Sequence, residues 1–165
     1  MGKDKKPNVM TAGEVFNVGL RNPTIIGIAL RKATYTHGLI MQSKQFTVNL
    51  PTVDILDKVD LVGTISGRDG LDKFTEYGLT SLPSAMIDVP IIKECPINLE
   101  CKLLNVSEVG DHDLFLGEVM AMHADSGILN EKQEICIEKA NGFLLAEKAY
   151  YTFGAKLNDL GYTRR

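Results

Sequence analysis

The chain of 165 residues is 44% hydrophobic and carries a formal net charge of −3. A chain of this size buries one substantial core, so we expect a single domain over residues 1–165. The acidic balance argues against non-specific binding of nucleic acid, which requires a basic surface. No apolar run reaches the ~18 residues that span a bilayer. No apolar segment follows the basic start "MGKDKKPN" either, so we expect a cytoplasmic protein with no membrane partner.

The three cysteines, Cys95, Cys101 and Cys136, are widely spaced, and the sequence contains no C-x-x-C motif or Cys/His cluster. This pattern argues against a zinc or iron–sulfur site, so no metal is expected. We interpret the cysteines as small, buried or half-buried residues in a reducing compartment.

The first half of the chain predicts strands interrupted by short helices. A strand is expected from Asn8 to about Val18, followed by a turn at "LRNP" and a strand buried on both faces in "TIIGIALRK". A short helix begins near Thr34, and "QFTVNLP" alternates like a strand. The spacing of apolar residues in "TVDILDKVDLVGTIS" is helical, and "RDGLDKFTEYGLT" predicts a second small helix that ends at Gly78.

After Pro83 the sequence predicts strands. The segments are "AMIDVPIIKEC", "INLECKLLNVSEV", "HDLFLGEVMAMHA" and "ICIEKANGFLLAEKAYYTF". A tight turn over residues 109–113 predicts that the middle two form an antiparallel hairpin. One face of the first hairpin strand should carry Leu99, Cys101, Leu103 and Asn105. The pattern indicates six or seven strands with two or three short helices, an arrangement that closes into a barrel or packs as a sandwich.

The segment "RKATYTHGLI" places cations, hydroxyls and an aromatic ring where the first helix begins. The unpaired amides and the dipole of a helix N-terminus favour negative charge, so this segment is a candidate phosphate site. Arg31 and Lys32 would add charge-assisted hydrogen bonds, and Thr34 or Thr36 would cap the helix or donate to a phosphate oxygen. The residues alone are explained equally well by a Thr-capped helix with two solvated basic side chains.

Six blocks occur in an order that resembles one family. They are "NVMT", "RKATYTHGLI", "FTVNLP", "GLDKFTEYGLT", "ECPINLECKLLNV" and "GDHDLFLGEVMAMHAD". From about Lys6 to Leu160 the chain resembles the flavin reductase-like, FMN-binding split-barrel family, and within it the flavoredoxin group most. The resemblance implies a mainly β fold, a six-stranded Greek-key split barrel with short inserted helices. It also implies a homodimer with FMN near the subunit interface.

The resemblance also implies roles for individual residues. Those expected along the edge of the flavin ring are Asn8, Val9, Met10 and Thr11. Those expected around the flavin phosphate are Arg31, Lys32, Tyr35 and Thr36, with Thr34 as the helix cap. Lys73 would reach the same phosphate from the second inserted helix, and His112 would stand near the approach of the nicotinamide as the candidate catalytic residue.

These residues have ordinary structural explanations as well. Met10 is a suitable core residue, and Asn8 at the start of a strand is a common turn residue. Lys73 has acidic neighbours and would form an exposed ion pair of about 0.3–0.5 kcal/mol. His112 would hydrogen-bond to one of its flanking aspartates.

The chain departs from the family pattern at two places. Members have a strand before the "NVMT" block, where this chain has only "MGKDKKP". We therefore expect either an N-terminal truncation or a barrel with one strand fewer, whose open edge needs a partner to cover it. Many members also carry a tryptophan where this chain has Glu14. A carboxylate close to the flavin there would lower the potential of the flavin.

Three functions are compatible with the sequence. The first is hydride transfer from NADH or NADPH to FMN, with the flavin carrying the chemistry. The alternative is an electron-transfer protein whose FMN accepts electrons from a redox protein partner. The third is a flavin-free barrel, favoured if Lys32 and Lys73 lie far apart. The segment "GRDG" lacks the spacing of a dinucleotide fingerprint, which does not discriminate among the three.

Overall fold

A computed structural model describes residues 6–164, in which a five-stranded antiparallel sheet is the largest element. The strands are β1 (Val15–Leu20), β2 (Thr24–Arg31), β3 (Gln45–Leu50), β4 (Ser81–Leu82), β5 (Ile91–Ile92), β6 (Ile97–Val109), β7 (His112–Ala124), β8 (Phe143–Ala146) and β9 (Ala149–Thr152). The helices are α1 (Tyr35–Ser43), α2 (Leu56–Thr64), α3 (Lys73–Glu76) and α4 (Ile137–Ala140). Short 3₁₀ turns lie at Val53–Ile55, Ser126–Ile128 and Tyr162–Arg164.

The main sheet has the order β1-β2-β7-β6-β3, and β4-β5 and β8-β9 form separate two-stranded ribbons. The mainly β split-barrel architecture with short inserted helices is confirmed. Whether the barrel lacks a strand relative to the family stays a prediction. Within residues 6–164, none of the helices is long and apolar enough to cross a membrane.

The predicted buried strand is confirmed in β2, which lies between β1 and β7. Ile26, Ile28 and Leu30 on one face belong to the main core cluster. On the other face Gly27 is buried beneath Phe16 of β1. The dense β-branched sequence of β2 therefore reflects a central strand that is covered on both sides.

The predicted hairpin is confirmed in β6 and β7, which pair along their whole length around a turn at residues 110–111. The predicted alternation holds as far as Leu103. A register shift between Leu103 and Asn105 then changes which side chains face the core, so that Val106 packs inward in place of Asn105. A bulge of this kind cannot be read from a period-two pattern.

The expected strand from Asn8 to Val18 is wrong in its first half, because β1 begins only at Val15. Residues 6–14 are without regular secondary structure, and Asn8, Val9 and Thr11 bond to residues of the helices. The hydroxyl of Thr11 donates to the carbonyl oxygen of Val59 in α2.

Two of the later strand predictions are also wrong in extent. In "AMIDVPIIKEC" only Ile91–Ile92 is a strand, preceded by Pro90, which has no N–H to donate. The C-terminal segment is broken by α4, whose C-cap Asn141 is in the left-handed conformation with φ of 47°. A separate β8-β9 hairpin follows this break.

A substitution at Gly117 tests how tightly the main core is packed. A Cβ at this buried position would lie 2.8 Å from Cε1 of Phe46 and 3.1 Å from Cβ of Cys101. We expect Gly117→Ala to lower the free energy of unfolding by about 1–3 kcal/mol, since the ring of Phe46 must shift and Cys101 is fully buried beside it. Urea unfolding measures the change. In the control Gly38→Ala, on the open side of α1, the added methyl meets no atom within 4 Å and should be stabilising.

Candidate flavin site

The helix α1 begins where the sequence predicts. Thr34 is its N-cap: its hydroxyl accepts from the amide of His37 at 3.3 Å and donates to the carbonyl oxygen of Arg31 at 2.9 Å. Tyr35 and Thr36 are half-buried in the first turn. The positive end of this nine-residue helix therefore lies at the end of β2, together with the predicted phosphate-binding side chains.

The two predicted groups of flavin contacts meet at Asn8 and Thr36. The side-chain amide of Asn8 donates to the hydroxyl of Thr36 at 2.8 Å. A Cβ on Gly67 would overlap the side chain of Asn8, so a larger residue at position 67 would displace that side chain. Asn8 thus connects the N-terminal segment to the first turn of α1 and is not a simple turn residue.

Arg68 is a further cation at this place that the sequence reasoning missed. Its guanidinium donates to the carbonyl oxygen of Ala33 at 2.7 Å, and its amide donates to the hydroxyl of Ser66 at 3.2 Å. The loop around Gly67 therefore closes against the start of α1. The signal was present in "GRDG", which the sequence reasoning weighed only as a dinucleotide motif.

The two basic residues at the end of β2 differ in their surroundings. Lys32 lies 2.8 Å from the carboxylate of Glu108 and 3.5 Å from that of Asp113. The hydrogen bond that Lys32 donates to Glu108 is the main reason that the pKa of Lys32 is raised. Among the described residues Arg31 has no ion-pair partner, and its guanidinium is exposed. Arg31 is therefore the cation at this site most available to an anionic ligand.

A histidine–aspartate pair fixes the first turn of α1 to the sheet. Nε2 of His37 lies 2.7 Å from Oδ2 of Asp113, and the imidazole packs edge-on against Phe115 with 5.0 Å between ring centroids. The hydrogen bond from His37 holds the pKa of Asp113 below its usual range. The pair orients α1 relative to β7.

His112, the candidate catalytic residue, faces Arg31 across the β2–β7 ladder. Its Nδ1 lies 2.7 Å from Oδ1 of Asp111, as the structural alternative predicts. The ring is three-quarters buried, and its Nε2 bonds to no other described residue. The hydrogen bond to a flanking aspartate is confirmed, and the role of His112 towards a nicotinamide stays a prediction.

Lys73 does not form the exposed ion pair that its acidic neighbours suggested. The residue is 3% exposed, and its ammonium group donates to the carbonyl oxygens of Val62 at 2.6 Å and Val9 at 3.0 Å. Burial lowers the pKa of Lys73. Lys73 and Lys32 share no partner, and the expected contact of Lys73 with a phosphate stays a prediction.

A cavity of about 930 Å³ extends from the start of α1 along the inner face of the sheet. Asn8, Val9, Met10, Thr11 and Thr36 line it, together with apolar side chains of β2 and β3. Its volume lies within the range of roughly 300–1,000 Å³ typical of small-molecule sites.

Other predicted residues lie away from the cavity wall or have a second role. Arg31, Lys32, Thr34, Tyr35 and Lys73 are outside the lining of the cavity. Met10 also packs against the main core cluster, so its interpretation as a core residue is confirmed. The side chain of Glu14 is exposed.

Comparison with known proteins shows the family to which the chain belongs. The family model for the flavin reductase like domain matches residues 2–154. A protein of Archaeoglobus fulgidus is 41% identical over 123 residues, which are 74% of this chain and 68% of the relative. The chain belongs to the flavin reductase-like family.

Two solved structures are similar over nearly the whole chain. Flavoredoxin of Desulfovibrio vulgaris (Miyazaki F) superposes with a TM-score of 0.91 and 31% identity, over 99% of this chain and 87% of that protein. The FMN-binding domain of a flavin reductase-like enzyme from Shewanella baltica superposes with a TM-score of 0.79 and 27% identity, over 92% and 82% of the two chains.

Proposed function

We propose that this chain is an FMN-dependent oxidoreductase that transfers a hydride from NADH or NADPH to flavin. The observation that carries the proposal is the hydrogen bond from Asn8 to Thr36, which joins the cavity to the N-terminus of α1. An apolar cavity that ends at a cationic helix start suits a ligand with a flat ring system and a terminal phosphate. The Shewanella baltica relative, described as FMN-binding, supports the same cofactor.

The residues of this chain would bind and orient the cofactor. Arg31, Thr36 and Arg68 are placed to hold the phosphate, since they supply two guanidinium groups and a hydroxyl at the start of α1. Asn8 to Thr11 would lie along the ring. When bound, FMN accepts and donates the hydride, so the mechanism requires no nucleophilic side chain. His112, next to Arg31, is the proposed contact on the side where the nicotinamide would approach.

A second candidate function is electron transfer without NAD(P)H, the flavin accepting electrons from a redox protein. The similarity to flavoredoxin over 99% of the chain favours it. The FMN-loaded protein should be mixed anaerobically with NADH and, separately, with NADPH while the flavin absorbance is followed. Rapid bleaching supports the reductase. Flavin that stays oxidised with both nucleotides contradicts it and supports the electron carrier.

We propose further that the chain is a homodimer in the cytoplasm. Edge strand β1 exposes Val15, Phe16, Val18 and Leu20, the last at 72%, and an apolar edge of this kind needs a covering partner. The three cysteines are free, which suits a reducing compartment. Light scattering is expected to give twice the mass of 18.1 kDa. The mass of a single chain at micromolar concentration contradicts the dimer.

A further inference from the structure

Lys73 is buried without a carboxylate partner among the described residues. It is 3% exposed, and within residues 6–164 its ammonium group has only the carbonyl oxygens of Val62 and Val9 as acceptors. Burial of a charge is costly unless hydrogen bonds compensate for it. The burial of Lys73 is therefore best explained by a specific role of its ammonium group in this part of the molecule.

Both residues that accept hydrogen bonds from Lys73 line the cavity. Val62 belongs to α2, and Val9 belongs to the irregular segment that lines the cavity. The next residue, Phe74, is buried in the cluster against which Val9 packs. Val9 is thus held by the ammonium group of Lys73 and by packing against the cluster that contains Phe74.

The segment around Val9 is anchored by hydrogen bonds at three of its residues. Asn8 donates to Thr36 on one side, and Thr11 donates to the carbonyl oxygen of Val59 on the other. Lys73 holds the carbonyl oxygen of Val9 between them. Because the segment has no strand ladder of its own, these bonds decide where its backbone lies beside the cavity.

We propose that Lys73 is a positioning residue that holds the Val9–Thr11 wall against the flavin ring, and that it is not a phosphate ligand. The inference rests on the proposed binding of FMN. Removal of the ammonium group leaves two carbonyl oxygens without a donor, and the wall shifts. This loss affects every ligand that carries the ring. The loss of a phosphate ligand affects FMN alone, since riboflavin has no phosphate.

The test compares FMN and riboflavin in titrations of the wild type, Lys73→Met and Lys58→Met. Lys58 is a matched control because its ammonium group also donates to a carbonyl oxygen, that of Gly78 at 2.8 Å, but does not reach Val9. We expect Lys73→Met to weaken both ligands about tenfold, with the FMN-to-riboflavin ratio unchanged and the bound flavin bands shifted. Lys58→Met should retain the wild-type affinities and bands.

Three results would overturn the inference. Weaker binding of FMN alone in Lys73→Met makes Lys73 a phosphate ligand. A lower melting temperature with unchanged affinities and bands makes its role purely structural. If Lys73→Met does not fold, Lys73→Gln replaces it. Its amide keeps donors for the carbonyl oxygens, so a positioning role predicts small and equal losses for FMN and riboflavin, whereas a phosphate ligand predicts a loss for FMN alone. A wild type that binds neither flavin refutes the proposed function, and the inference with it.

Discussion

Replacing Arg31 with methionine is expected to weaken FMN binding by about tenfold to a hundredfold and to leave riboflavin binding unchanged. A hydrogen bond to a charged group contributes about 1.5–3 kcal/mol, which corresponds to that change in affinity. Arg31 is exposed at the N-terminus of α1 and has no ion-pair partner among residues 6–164. Because no carboxylate competes for the guanidinium of Arg31, the phosphate would receive its full interaction, and Arg31→Met would remove all of it. Fluorescence titration of both flavins measures the effect.

Lys32→Met is the matched control for the Arg31 variant. The ammonium group of Lys32 is already shared between Glu108 and Asp113, so a phosphate would gain less from it. We expect a smaller loss of FMN affinity than in Arg31→Met. Equal losses in the two variants, or an unchanged FMN affinity in Arg31→Met, would contradict the assignment of the phosphate site.

The second large effect is expected at Glu100, far along β6 from the phosphate cluster. Its carboxylate is fully buried and accepts hydrogen bonds from the amides of Ala85 and Met86, both at 2.7 Å, and from Nε2 of His123 at 2.6 Å. We expect Glu100→Ala to lower the free energy of unfolding by about 3–5 kcal/mol, because three donors lose one shared, fully buried acceptor and a cavity replaces its side chain. Urea unfolding at neutral pH measures it.

Glu100 should also contribute to the stability of the protein in acid. Burial raises the pKa of Glu100, but the hydrogen bonds from Ala85, His123 and Met86 outweigh burial and lower it overall. The unfolded chain therefore binds the proton first as the pH falls. The contribution of Glu100 is fully present above the unfolded pKa of about 4.3 and is lost as the pH falls through the lower folded pKa.

Two variants separate the carboxylate from its partners. Glu100→Gln keeps one acceptor oxygen, so its loss of stability should be smaller than that of Glu100→Ala, and its unfolding should lack the acid-dependent component. His123→Ala should cost least, because the His123 side chain is 37% exposed and the two amides keep their acceptor. A Glu100→Ala variant as stable as the wild type would show that this cluster does not hold the loop before β5.

The parts of the fold that depend on local patterns were predictable from the sequence. β2 has a dense β-branched run, β6 and β7 flank a tight turn, and Thr34 has the chemistry of an N-cap. In each case the neighbouring residues along the chain determine the structure. The bulge at Leu103 and the packing of residues 6–14 depend on distant elements, so no local pattern could reveal them.

The candidate site was predictable as a set of residue types but not as an arrangement. The positions of Arg31, Thr34 and Thr36 at a helix start follow from the sequence. The burial of Lys73 does not, since its acidic neighbours suggest an exposed residue and its true partners are backbone carbonyl oxygens. Arg68 was missed because its contact, the carbonyl oxygen of Ala33, lies 35 residues away along the chain.

The most direct test of the central claim is a visible absorbance titration of the purified wild type with FMN and, in parallel, with riboflavin. The account predicts shifted flavin bands with one FMN per chain, and tighter binding of FMN than of riboflavin because of the cluster at the start of α1. Bands identical to those of free flavin at saturating concentrations would contradict it, and so would equal affinities for the two ligands.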